Sequence, residues 1–321
     1  MSSSSSNLLQ RVLIALVAIP AILYVVIQGG ILFFLFVTIV ALLALREFYD
    51  LAALKGASPQ RMIGFVAAIT VNGAFFHEQI QSAIVPLFFE RGIAISVLTK
   101  LQLFLTVELL FLLLILLVEL FRNKGSMFLN AGYTILGYLY IGVFLGTLTG
   151  LRELFGNEFP YWLIRRHVDL APGFSDAALR AITYEWGGLT VVSVFASIWM
   201  CDTFAYFGGM LMGKRKLFPR VSPNKTWEGA VWGFAAAVGT MILARALFLP
   251  YLQLHQAMMI GMIIGIFGQI GDLIESLFKR DAGVKDSSSL IPGHGGVLDR
   301  FDSLIFVSPI LYLYIDFVVL S

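Results

Sequence analysis

Long apolar runs alternate with short polar breaks along almost the whole chain. They cover about 8–27, 31–49, 61–77, 93–120, 128–150, 187–212, 227–249, 257–278 and 304–320. A membrane-spanning helix needs about 20 predominantly apolar residues, so these runs predict nine transmembrane helices. The run at 61–77 is at the short end, and that at 93–120 is long enough to tilt or extend past the bilayer. Residues 110–117 (LFLLLILL) are apolar on every side, which suits a helix in lipid rather than the alternating strand of a β-barrel. Residues 8–27 exceed the apolar core of a signal peptide, offer only Arg11 as a positive charge near their start, and lack a small-residue cleavage site. They read as the first span. No internal repeat of the inverted-repeat transporter kind is evident.

Composition sharpens this picture. Of 321 residues, 59% are apolar and 13% charged, against about 45–50% and about 25% in soluble domains. That excludes a soluble enzyme, a disordered tail protein and a nucleic-acid binder. A single cysteine, Cys201, excludes disulfides and a thiolate zinc cluster, and reads as a small buried hydrophobe. The expected fold is an all-α polytopic membrane protein of about nine helices. A Ser-rich tail (1–7), expected to be disordered, precedes N-terminal spans and a long loop (8–186), then a C-terminal catalytic region (187–321). Assigning each Lys and Arg to its nearest helix end leaves Arg91, Lys100, Arg152, Arg165, Arg166, Arg180 and Arg245 on one side. The other 15 of 22 fall on the side of the N-terminus, which is therefore expected to be cytoplasmic. The loop at 151–186 is mixed in charge and holds no chemical constellation. It reads as a surface flap or interfacial helix.

Two connections on the N-terminal side differ from ordinary loops: 213–227 (GKRKLFPRVSPNKTW) and 279–303 (KRDAGVKDSSSLIPGHGGVLDRFDS). In the helix leading to the second, Asp272, Glu275, Ser276 and Lys279 fall at i, i+3, i+4 and i+7 and share one face. At about 1.5 Å per residue, Asp272 lies roughly 10 Å below Lys279. A carboxylate at that depth costs about 2.5–3.5 kcal/mol on insertion scales unless it meets a polar cavity or a partner. The two acids are either a structural couple held by Ser and Lys of a neighbouring helix or members of a site. Intramembrane acids are functional by default.

The following loop adds Asp286, Asp299 and Asp302, the bases Lys279, Arg280, Lys285 and Arg300, and the turn Pro292-Gly293-His294-Gly295-Gly296. Glycines let the backbone approach an oxyanion, and successive N–H groups can form an anion-binding nest. Carboxylates from two helix ends surrounded by bases suit a hard divalent cation and a phosphate chain. His294 is open between general base, metal ligand and phosphate donor, although one lone histidine argues against zinc. In the first loop, Ser222, Asn224, Lys225 and Thr226 cluster at a helix start, itself an anion site, and Glu228 in the first turn suits the helix dipole. Asp202 and Tyr206 lie four apart in the preceding span. Asp202 is either a site member or a structural hydrogen-bond partner. Gly229-x-x-x-Gly233 and Gly261-x-x-x-Gly265 read as helix-packing faces.

The stretch Ser276–Asp302 (SLFKRDAGVKDSSSLIPGHGGVLDRFD), with Gly271-Asp272 before it, resembles the signature of the phosphatidate cytidylyltransferases, or CDP-diglyceride synthases. Ser222–Gly229 (SPNKTWEG) and Asp202-x-x-x-Tyr206 resemble that family too, and the likeness covers about residues 195–305. It implies transfer of a cytidylyl group from CTP to phosphatidate with Mg²⁺, giving CDP-diacylglycerol and pyrophosphate. By the same resemblance Asp272, Asp299 and Asp302 take the metal. Asp272, Lys279, Lys285, His294, Asp299 and Arg300 form the catalytic group. Asp202, Ser222, Asn224, Lys225, Thr226, Glu228, Ser276, Arg280, Gly295 and Gly296 bind substrate. The number of acids leaves room for a second, monovalent cation such as K⁺. The expected partners are CTP, phosphatidate and the bilayer, with no nucleic acid and a homodimer left open. The expected location is a bacterial inner membrane with the site facing the cytoplasm.

The chemistry asks for what these residues provide. A lipid phosphate monoester is already an anionic nucleophile, so no Ser or Cys nucleophile is needed; charge neutralisation is. A CTP-dependent lipid-alcohol kinase would need a general base beside a hydroxyl. A CDP-alcohol phosphotransferase would need a D-G-x₂-A-R-x₈-G-x₃-D-x₃-D constellation, which is absent from the chain. A secondary transporter would place its acids at broken helices near the midplane, whereas here the polar groups gather at one membrane face.

Overall fold

The computed structural model describes residues 16–93, 97–156, 159–160, 162–164, 175–290 and 295–321. Helices run in the order α1 (Leu16–Gln28), α2 (Gly30–Leu54), α3 (Arg61–Phe75), α4 (His77–Phe89), α5 (Lys100–Phe121), α6 (Met127–Glu153), α7 (Asp176–Met212), α8 (Trp227–Phe248), α9 (Leu254–Asp281) and α10 (Leu298–Val319). Each predicted apolar run falls on one of them. Seven, α2 and α5 to α10, are long and apolar enough to cross a membrane, while α1 and α3 are shorter apolar helices. The chain is an all-α, multi-pass membrane protein. The Ser-rich tail and the start of the first run lie outside the described residues.

Three elements depart from the expectation. Helix α4 was not anticipated, because HEQIQSAIVPLFF mixes polar residues and Pro86 with its apolar ones. Helix α7 starts at Asp176, so 176–186 continue directly into the span instead of forming a flap or a separate interfacial helix. Its 37 residues reach about 55 Å at 1.5 Å per residue, well beyond a hydrocarbon core of about 30 Å. Ser175 caps it by accepting a hydrogen bond from the Ala178 N–H at 3.3 Å. The loop before α8 folds into an antiparallel hairpin, β1 (Lys216–Phe218) and β2 (Ser222–Thr226).

The chain forms two compact units. One is Gly30–Gly150 and the other joins residues through Gly29 to Leu151–Ser321. In the first, a buried polar network closes one end. Gln60 Nε2 donates to Glu119 Oε1 at 2.8 Å and to the Ile115 carbonyl at 2.9 Å, while Asn130 Nδ2 reaches Glu119 Oε2 at 3.3 Å. These pairings satisfy a buried glutamate that would otherwise be costly in an apolar helix.

In the second unit, Arg152 is fully buried and stacks 3.8 Å from the centre of the Tyr184 ring. Its guanidinium donates to the Val26 and Ile27 carbonyls, each at 3.3 Å. These are unpaired groups at the end of α1, so one residue fastens α1 to α7. The two predicted glycine faces are contact faces. A Cβ on Gly233 would stand 2.7 Å from the Cys201 carbonyl oxygen, and one on Gly265 would stand 3.0 Å from Phe234 Cα. Backbones therefore approach closely, as small residues permit in membranes. Gly271 does the same for α9 and α10: its Cβ would lie 2.8 Å from the Asp302 carbonyl oxygen. That approach sets the carboxylates of the two helices side by side.

Gly261 and Gly239 give a direct test of this packing. A Cβ at Gly261 would stand 2.6 Å from Val238 Cα, whereas one at Gly239 meets nothing within 4 Å. Gly261→Ala is expected to cost about 1–3 kcal/mol through overpacking, and Gly239→Ala to be neutral or stabilising by up to about 1 kcal/mol. Thermal unfolding in detergent reads this as a lowered Tm for the first variant only; equal Tm values would contradict the close contact.

Candidate active site

Where α7, α8, α9, α10 and the hairpin converge, a cavity of about 640 Å³ opens. Six acids line it, Asp202, Asp272, Glu275, Asp286, Asp299 and Asp302, against three cations, Lys225, Lys279 and Arg300. The formal excess is three negative charges. A triphosphate cannot approach such a wall unless additional cations offset it, since like charges repel strongly where water is limited.

Helix α9 supplies the floor. Asp272 accepts from Lys225 Nζ of β2 at 2.5 Å and from Ser276 Oγ, one turn on, at 3.4 Å. Lys279 Nζ bridges two carboxylates, Glu275 Oε2 at 2.7 Å and Asp299 Oδ1 at 2.6 Å. Charge-assisted contacts of this length are the strong class of hydrogen bond. They tie α9 to the first turn of α10.

Asp299 also organises the loop before α10. Its Oδ2 accepts from Ser287 N at 3.1 Å, Ser287 Oγ at 2.9 Å and Gly296 N at 2.8 Å. Gly295 permits this close turn: its φ is +83°, and a Cβ would stand 2.9 Å from Asp299 Oδ2. Both oxygens of Asp299 are thereby engaged. The described carboxylates that come together as a metal would require are Asp272, Glu275 and Asp302, whose ligand oxygens lie within 4.8 Å of one another. Asp302 also accepts from the Ser303 N–H at 2.6 Å. One oxygen of Glu275, Oε1, is buried with no hydrogen-bond partner. An all-oxygen donor set with an unsatisfied member fits a hard divalent cation.

The remaining predicted residues divide. Asp202, Asn224, Lys225, Thr226 and Arg300 line the cavity. Thr226 also caps α8, accepting from the Gly229 N–H at 3.2 Å. Ser222 pairs with Phe218 across the hairpin and is not among the lining residues. Glu228 faces a separate apolar groove with Met212, Trp227 and Trp232. It accepts from the Lys214 and Arg215 N–H groups at 3.0 and 3.2 Å, which fastens the hairpin to the start of α8. Arg280 donates to the Val221 carbonyl at 3.4 Å and the Val284 carbonyl at 2.9 Å, joining the hairpin to the loop. Lys285 is exposed and does not line the cavity. His294 lies outside the described residues.

Sequence reasoning placed Glu275 on the right helix face but left it out of the site, although its spacing from Asp272 carried the signal. Ser287 and Gln269 carried none that distinguished them. Gln269 lines the cavity while its Nε2 donates to the Ala230 and Gly265 carbonyls at 3.1 and 2.6 Å.

Comparison with known proteins bears on what this cavity serves. Residues 9–318 match the model of the cytidylyltransferase family. A Staphylococcus haemolyticus phosphatidate cytidylyltransferase is 34% identical over 301 residues, 94% of this chain and 96% of the relative. Proteins of that name from Synechocystis sp. and Staphylococcus epidermidis are 32% and 31% identical, covering 95% and 94% of the chain and 96% of each relative. With the match running almost end to end, the chain belongs to the cytidylyltransferase family.

Proposed function

We infer that the protein transfers the cytidylyl group of CTP to phosphatidate, yielding CDP-diacylglycerol and pyrophosphate. The observation that carries this is a cavity of excess acid at the ends of spanning helices, in a chain matching phosphatidate cytidylyltransferases over nearly its full length. A lipid phosphate held in the bilayer can reach such a cavity from below, and a nucleotide from the aqueous side.

In the transfer, a phosphate oxygen of phosphatidate attacks the α-phosphorus of CTP. The bond from that phosphorus to the bridging oxygen breaks, and pyrophosphate leaves with the electron pair. The attacking oxygen needs no side-chain base because the phosphate is ionised at neutral pH. Lys225, Lys279 and Arg300 hold phosphate oxygens from the cavity wall, with Arg280, Lys285 and His294 completing the basic set around the loop. Ser276 steadies Asp272. Asn224 and Thr226, with Ser222 beyond them on β2, orient the lipid phosphate or the nucleotide. Gly295 and Gly296 present backbone to the triphosphate. Asp202 faces the same space from α7, and Glu228 sets the hairpin that carries Lys225.

Asp272 and Asp302 would hold Mg²⁺. Asp299, assigned with them by resemblance, shapes the adjoining loop through Ser287 and Gly296. When bound, the ion neutralises phosphate charge and stabilises the departing pyrophosphate. A monovalent cation such as K⁺ would offset the rest of the acid excess. This reading assigns catalysis to 187–321, and the excess of Lys and Arg on the side of the N-terminus supports a site at the cytoplasmic face. Bacterial relatives favour a bacterial inner membrane.

Purified protein in detergent–phosphatidate micelles with Mg²⁺ and CTP labelled at either the α or the γ position tests the reading. Label from the α position alone is expected in lipid, with pyrophosphate released; γ label in lipid would mean a kinase instead. Lys225→Met should reduce turnover by about a hundredfold or more, the loss typical of one electrostatic stabiliser. It should also lower the Mg²⁺ concentration needed for half-maximal rate, because it frees Asp272 of a cation 2.5 Å away. An unchanged Mg²⁺ requirement would count against Asp272 as a ligand.

A further inference from the structure

Glu275 is 1% exposed and divides its two oxygens between different environments. Oε2 takes the Lys279 ammonium at 2.7 Å. Oε1 is buried and receives no N–H or O–H donor, and the Asp299 carboxyl is the other group in reach of this side chain. Buried polar atoms are satisfied in all but a few cases, and the exceptions call for an explanation such as an ion. Glu275 also offers an oxygen within 4.8 Å of oxygens from Asp272 and Asp302. Three carboxylates that close repel one another, and a divalent cation among them removes the repulsion.

We propose that Glu275 is a carboxylate ligand of the divalent cation, alongside Asp272 and Asp302, and that it couples that cation to the loop before α10. The coupling runs through its second oxygen: Lys279 joins Glu275 to Asp299, which in turn holds Ser287 and Gly296. The cation's part in cytidylyl transfer rests on the function inferred above, but its binding does not require turnover. The competing explanation is that Glu275 serves only as the counter-ion of Lys279. The two differ in what removing Lys279 does to the metal.

Mn²⁺ binding to the full-length protein in detergent, read from loss of the free-ion EPR signal with Mg²⁺ as competitor, separates them. Glu275→Gln keeps an oxygen for Lys279 and is expected to weaken Mn²⁺ binding at least about tenfold, in the range seen for metal-site support residues. Lys279→Met removes a cation that competes for Glu275 and should leave Mn²⁺ binding unchanged or tighter. Asp50→Asn, in the exposed pair with Arg61, is the control expected to change nothing. Wild-type affinity in Glu275→Gln overturns the proposal, as does a Lys279→Met variant that keeps the wild-type Tm and is weakened as much as Glu275→Gln. Should Glu275→Gln not fold, Glu275→Asp keeps the charge but shortens its reach. A several-fold loss is expected there, and wild-type affinity again overturns the proposal. If the wild-type protein transfers α label while Glu275→Gln binds Mn²⁺ normally, the proposal falls and the cytidylyltransferase reading stands. Normal Mn²⁺ binding by a wild-type protein that transfers no label overturns that reading and not the ligand assignment.

Discussion

Lys279 stands between Glu275 and Asp299 at 2.7 and 2.6 Å, and much of the site's form follows from that one ammonium. It sits at the end of an apolar helix, where an unpaired charge of either sign would be expensive. By taking one carboxylate from its own helix and one from α10, it offsets part of their negative charge and draws the two helices together. Breaking one partner of such an arrangement leaves the other buried and uncompensated, which costs more than the pair contributes. The loop before α10 is held by the same Asp299, so helix contact, loop conformation and local charge balance rest on a shared group.

Lys225 does the corresponding work on the other side of the cavity. It reaches Asp272 from β2, and β2 is held in place by two local contacts: the Thr226 cap on α8 and the Glu228 carboxylate on the Lys214 and Arg215 amides. A short hairpin is marginal in water by itself. Fixed at both ends to membrane helices, it can present a lysine to within hydrogen-bond distance of a carboxylate.

How much of this was legible in the sequence depends on which interactions decide each element. Nine apolar runs marked nine helices because lipid exposure demands nearly continuous hydrophobicity, which a reader can see. The start of α7 at Asp176 was hidden because DAALRAITYEW forms helix without being apolar throughout. Helix α4 was hidden for the same reason. The hairpin escaped because its strands are fixed by tertiary contacts rather than by an alternating pattern. At the site, helical spacing put Asp272, Glu275, Ser276 and Lys279 on one face. Spacing cannot say which oxygen meets which cation. That Asp299 accepts from Ser287 and Gly296, and that Glu228 fastens a hairpin, depend on contacts between distant residues.

Helix α9 contains a wider turn, a π segment at Ile264–Gly268. An unbroken α-helix advances about 100° per residue, so Asp272, eleven residues after Gly261, would fall within about 20° of the glycine stripe packed on α8. A π turn accommodates roughly one extra residue and rotates everything after it by about the angle of one residue. The helix thus carries two registers, one that packs on its neighbour before the turn and another that faces α10 and the cavity after it. Losing one residue between them would leave every side chain of the site intact and aim the carboxylates at the wrong helix.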